Sequence, residues 1–209
     1  MKILTVRENN NKVNDLFVAS DFSILTVEEA LSRIDEFKNC EAVKPKNETP
    51  YIRRIANQLK DDNLDFLAIQ CKDTDSLFFD GQFVYLKDQN ETIRQWKSHS
   101  GHLGTTSKDQ FLKNKGPIPE GRYLAKFTSV QKRDSSELWE NRPLKSWGNI
   151  ATYLEPLGEI SHDRDGFFFH GGDTFGSNGC IDLCQDNDIF HATLLLYQRD
   201  LELTVSYPS

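Results

Sequence analysis

No apolar run in this chain is long enough to cross a bilayer, and the stretch at its start, Met1-Lys2-Ile3-Leu4-Thr5-Val6-Arg7, is too short for a signal peptide. A chain made in the cytoplasm, with no membrane insertion, is the expectation. Positive charge is also in short supply. Twenty-five Lys and Arg against 32 Asp and Glu leave a net charge of -7, whereas a polyanion is gripped by Lys and Arg neutralising its phosphates. Nucleic acid is therefore not an expected partner. Four cysteines in 209 residues are too few for a disulfide scaffold, so each thiol is weighed on its own, and a Cys40 to Cys71 bridge is left open. There is no internal repeat and no low-complexity tract. The apolar material present, 37% of residues with fourteen Phe, is enough to fold and argues against disorder. The length suits one well-packed domain plus a smaller module.

Patterning divides the chain near residue 75. Thr26-Val27-Glu28-Glu29 reads as a capping box, and Val27, Ala30, Leu31, Ile34 and Phe37 recur at helical spacing to about Asn39. Thr49-Pro50 starts a second expected helix burying Ile52, Ile55, Ala56 and Leu59. From Ser76 the texture becomes short strands. Leu77-Phe78-Phe79, an Asp80-Gly81 turn and residues 82–86 make a hairpin. Further strands are expected at 92–97, 121–129, 150–154 and 166–170, then a helix over 186–197 and a closing strand through Leu201, Leu203, Val205 and Tyr207. The expected fold is α+β, with a small helical module at 1–75 and a β-rich domain at 76–209.

The densest cluster of chemistry runs from Phe167-Phe168-Phe169-His170-Gly171-Gly172 through Ser177-Asn178-Gly179-Cys180-Ile181. An apolar strand delivers a His at its end, a Gly-rich loop follows, and a Cys closes it. A thiol is a good nucleophile only when deprotonated, so a His in reach is its most useful neighbour. Cys180 is the candidate nucleophile and His170 its base. Gly179 permits a tight turn before the thiol, and main-chain N–H groups nearby are candidates for an oxyanion site. Ser177 divides between capping the turn and orienting the His ring; the residues leave both open.

His170-Gly171 followed by Ser177-Asn178-Gly179-Cys180, with Pro119-Glu120-Gly121-Arg122-Tyr123 and Ser100-Gly101 upstream, resembles the YkuD-type L,D-transpeptidase catalytic domain over roughly 76–209. The resemblance implies a mixed β sandwich or barrel with a helix near the C-terminus. It also implies thioester formation on Cys180 with a peptidoglycan stem peptide. Water resolving the thioester would give L,D-carboxypeptidase activity, another stem a cross-link, and a free D-amino acid an exchanged terminus. Catalytic roles then fall on Cys180, His170 and Ser177, and oxyanion or substrate contacts on Gly179, Asn178, Gly171 and Gly172. Two positions depart from the family: Asn178 stands where most housekeeping members have a second His, and Asp182 where they have an Arg. The short His170-to-Cys180 segment is similar to the compact branch that includes type VI secretion effectors. That branch implies an antibacterial toxin acting in a target bacterium's periplasm, with an immunity protein and a secretion component as partners.

Blander readings stand beside these. Cys184 reads as a small buried residue, and His99, His102, His162 and His191 as surface or core histidines. Zinc accepts His162, His170, Cys180 and Cys184 as ligand types, but Cys-x-x-x-Cys is not a usual knuckle and no second compact pair flanks it. No metal or cofactor is expected. The functional alternatives are a non-catalytic module binding wall or protein, or a housekeeping L,D-transpeptidase.

Overall fold

The computed structural model describes residues 1–46, 49–55, 64–134, 137–159 and 164–208. They form two compact units, Met1–Cys71 with Leu195–Tyr197, and Lys72–Leu194 with Gln198–Ser209.

The first unit is built largely of strands: β1 (Ile3–Glu8), β2 (Asn14–Ala19), β3 (Ile24–Thr26), α1 (Val27–Ser32), β4 (Cys40–Val43), β5 (Tyr51–Arg54), α2 (Leu64–Leu67) and β6 (Ala68–Ile69). The capping box is present as expected. The Thr26 side chain accepts from the Glu29 N–H, and the Glu29 carboxylate accepts from the Thr26 N–H. The helix it starts is short, however, ending at Ser32. The expected helical module is therefore corrected. The sheet has strand order β3-β2-β1-β6, and the chain from Tyr51 is not a helix but β5, paired with β4. Ala56 and Leu59, expected on that helix, lie outside the described residues. Val6, Phe17, Ala19, Leu25, Ala30 and Ile52 share one buried cluster, because β2 and β5 present alternate residues inward.

The second unit carries β7 (Asp75–Phe79), β8 (Phe83–Asp88), β9 (Glu91–Lys97), β10 (His99–Ser100), β11 (Gly121–Lys132), α3 (Glu137–Glu140), α4 (Leu144–Trp147), β12 (Ile150–Pro156), β13 (Phe168–His170), β14 (Ile181–Asp182), α5 (Asn187–Tyr197) and β15 (Leu201–Val205). The β-rich fold with a helix near the C-terminus is as expected. The β7–β8 turn forms because Asp80 Oδ1 accepts the N–H groups of Gln82 and Phe83 at 2.8 and 2.7 Å, while Gly81 takes φ +99.

The sheet runs β10-β14-β13-β12-β11-β15-β7-β8-β9. Its two outermost strands are joined through Ser98 alone, so the sheet has to curl until its ends approach. Phe190 of α5 contacts both flanks, with ring centroids 5.1 Å from Trp96 on β9 and 4.6 Å from Phe169 on β13. Each fully buried ring of this kind stabilises by about 2–3 kcal/mol. No helix among the described residues is long and apolar enough to cross a membrane.

Candidate active site

β13 delivers His170 at its end, and β14 starts one residue after Cys180. The two strands are parallel, with Phe169 opposite Ile181 and His170 opposite Asp182. Parallel neighbours usually need a crossover of a dozen residues or more. Here the crossover is loop 171–180 itself, and hydrogen bonds fix it along its length. α4, ended by Gly148 at φ +63, leaves carbonyls unpaired within the helix. The Lys145 carbonyl accepts from the N–H groups of Asp173 (2.5 Å) and Thr174 (2.8 Å), and that of Trp147 from Gly171 (3.4 Å).

Buried Asp182 braces the far end, accepting from Gly176 N–H (3.1 Å) and Cys184 N–H (2.9 Å). Burial raises its carboxyl to about 6, against the opposing pull of those N–H groups. Ser177 Oγ donates to the Cys180 carbonyl at 2.6 Å and accepts from Gly101 and Gly179 N–H. Ser100 Oγ donates to the Gly179 carbonyl and accepts from Ile118 N–H. At Gly179, φ is +123 and a Cβ would collide with the Arg164 guanidinium, so glycine is required on both counts.

Cys180 is 8% exposed and His170 2%. Trp147 connects them. His170 stacks on its ring, and the same Trp lines a cavity of about 190 Å³ with Cys180. Burial lowers the imidazole to about 4, with backbone groups of Gly171 and Ser146 pulling the other way. Burial likewise raises the Cys180 thiol to about 11, opposed by the Phe168 backbone and by Arg142 and Arg164. At neutral pH the resting pair is therefore thiol and neutral imidazole. In this state Cys180 Sγ donates to the Gly166 carbonyl at 3.8 Å, and His170 Nδ1 is buried without a hydrogen-bond partner.

The cavity walls add Lys113, Asn114, Arg142, Arg164, Asp165, Gly166, Phe167 and Asn178. Arg164 is buried, and its guanidinium donates to the carbonyls of Gln110, Pro117, Gly116 and Asn178, tying the 110–118 segment to the Cys180 loop. Arg142 lies over the rings of Trp147 and Phe168 at 4.4 and 4.6 Å.

Of the residues singled out from the sequence, His170 ends β13 and Cys180 immediately precedes its parallel neighbour β14, and Asn178 lines the cavity while pairing with His102 at 2.8 Å. Ser177 Oγ holds the Cys180 carbonyl. The amides of Gly171, Gly172 and Gly179 are already donated, to the Trp147 carbonyl, the Cys184 carbonyl and Ser177 Oγ. Cys184 sits in the left-handed region (φ +48), and burial followed by the Asp182 carboxylate pushes its thiol up to about 12. No disulfide links any of the four cysteines. Trp147, Arg142 and Arg164 were not found from sequence, since no local motif marks them. Among the described residues no three His, Cys, Asp or Glu side chains gather to hold a metal, and His162 lies outside those residues.

No family model matches this sequence, and no curated protein does. Solved structures do align with it. Bd1075 of Bdellovibrio bacteriovorus does so at 17% identity, over 64% of this chain and 47% of its own, with a TM-score of 0.41. An L,D-transpeptidase from Mycobacterium smegmatis aligns at 18% over 64% of this chain and 58% of its own, TM-score 0.36. L,D-transpeptidase 1 of Mycobacterium tuberculosis aligns at 16% over 87% and 91%, TM-score 0.35. The chain thus spans about half the length of the first two.

Proposed function

We propose that this protein is a cysteine acyltransferase acting on peptidoglycan stem peptides as an L,D-carboxypeptidase or L,D-transpeptidase. One juxtaposition carries the reading: His170 at the end of β13 and Cys180 immediately before the parallel strand β14 share Trp147 as a neighbour, and Cys180 lines the cavity beside it. Cys180 Sγ attacks the carbonyl of the tetrapeptide's last peptide bond, and its proton passes to His170. The tetrahedral intermediate collapses, the C–N bond breaks, and the imidazolium returns the proton to the departing D-alanine amine. Water or an amine, deprotonated by His170, then opens the thioester and restores the thiol.

A neutral imidazole near pH 7 is in the state a base needs, and a neutral thiol requires one. The finer reading is an antibacterial effector, supported by the compactness of the His170-to-Cys180 segment. The competing reading, a binding module, draws on the burial of Cys180 and its bond to Gly166.

Mass spectrometry of tetrapeptide fragments incubated with the protein, with and without a D-amino acid, decides between them. Loss or replacement of the terminal D-alanine that disappears in Cys180→Ala is the expected result; unchanged fragments would favour the module. For the effector reading, toxicity should appear only when the chain is exported to a Gram-negative host's periplasm, and should vanish in Cys180→Ala.

A further inference from the structure

Four of the residues lining the cavity beside Cys180 are charged: Lys113, Arg142, Arg164 and Asp165. They are not equivalent. Arg164 spends its guanidinium on four backbone carbonyls, and Lys113 is exposed. Arg142 differs from both. Its guanidinium is held against the faces of Trp147 and Phe168, yet Nη1 is buried with no hydrogen-bond partner. Among the described residues, Asp165 is not one of the groups acting on it.

Arg142 as a whole is half-buried, but its Nη1 has lost water without gaining an acceptor, which is costly to maintain. Stacking on two rings leaves the fork oriented, which matches a planar carboxylate. Burial lowers the Arg142 pKa, opposed by Cys180, yet guanidinium stays charged at any working pH.

We propose that Arg142 is the carboxylate-binding residue of the acyl-donor subsite, selecting donors that carry a free carboxylate beside the bond Cys180 attacks. In its substrate identity this rests on the acyl-transfer reading above. The anion site itself does not. The cavity, about 190 Å³, admits the acidic end of one side chain and little more. A donor amidated at that carboxyl would leave the guanidinium unpaired and bind less well.

The test uses two small alkylating agents of nearly equal shape on the full chain, iodoacetate and iodoacetamide, with modification of Cys180 followed by peptide mass spectrometry. The ratio of the two rates cancels the thiolate fraction and reports only the preference for a carboxylate. Arg142→Gln should lower that ratio by about tenfold, while Lys113→Gln should change it by less than about twofold, as expected for an exposed charge. An unchanged ratio in Arg142→Gln, or an equal fall in Lys113→Gln, would overturn the assignment.

Should Arg142→Gln fail to fold, the native chain still answers. Acetate should slow iodoacetamide labelling of Cys180 and acetamide should not; equal protection by both, or by neither, counts against the site. Labelling needs no turnover of stem peptides. An intact ratio with inert stems would therefore discard the peptidoglycan reading and leave the anion site standing.

Discussion

Trp147 stacks on His170 with ring centroids 4.4 Å apart and 23° between the planes. The indole shields the imidazole from water, and that burial is the chief reason the His170 pKa falls to about 4. Trp147→Ala should therefore let it climb back toward the usual 6.5. The acid limb of kcat/KM should move up by at least one pH unit, at a stability cost of about 2 kcal/mol. Trp147→Phe should retain most of both. A pH–rate profile with an unmoved acid limb in Trp147→Ala would contradict the shielding role.

With His170 low and Cys180 high, the proposed acyl transfer should hold its rate from about pH 5 upward and show no thiolate plateau near neutrality. Alkylation of Cys180 should keep rising with pH past 9. Saturation at pH 7 would mean the thiol is already ionised in the resting state.

Stability should respond to pH in a definite direction. His170 and His191, the latter lowered to about 3 chiefly by burial, bind protons more readily in the unfolded chain. Their contribution is complete above about 6.5 and is lost as pH falls toward 4 and 3, by about 1.4 kcal/mol per unit per group. Asp182, raised to about 6, acts oppositely, costing stability as pH rises through that value. Denaturant titrations of the native chain and His191→Gln between pH 4 and 7 should show the shallower slope in the variant.

Arg164 is the tie between the 110–118 segment and the Cys180 loop. Arg164→Met strands four carbonyl acceptors, each worth about 1–3 kcal/mol if left unpaired, and partly offsets this by removing a buried charge. A net loss of about 3 kcal/mol is expected by urea unfolding; a loss below about 0.5 would show the tie to be dispensable. Cys184→Ala, by contrast, should change activity less than about threefold.

Much of the second unit is legible in the sequence because its signals are local. Asp80-Gly81 sets a turn whose hydrogen bonds lie within four residues, and Leu201, Leu203 and Val205 alternate over a full strand. The first unit misled because Tyr51–Arg54 is too short for its period to be read: Ile52 and Ile55 fit helical spacing as well as they fit a strand followed by a loop. The pairing with Cys40–Val43 that decided the outcome is a contact between segments. At the site, His170 and Cys180 are marked by their neighbours in the chain. Arg142 and Trp147 acquire meaning only when α4 is laid against β13, and no spacing rule reaches across that distance.

The crossover from β13 to β14 begins immediately after His170 and ends on Cys180. Both ends are tied to the strand ladder, so the spacing of the pair is set by register and not by the length of chain between. The loop between them is held by its own ties, to Lys145, Asp182 and the Cys180 carbonyl. Changes at residues 172–178 therefore reach Cys180 through Gly176 and Ser177, which hold Asp182 and the Cys180 carbonyl, and not through the length of the loop.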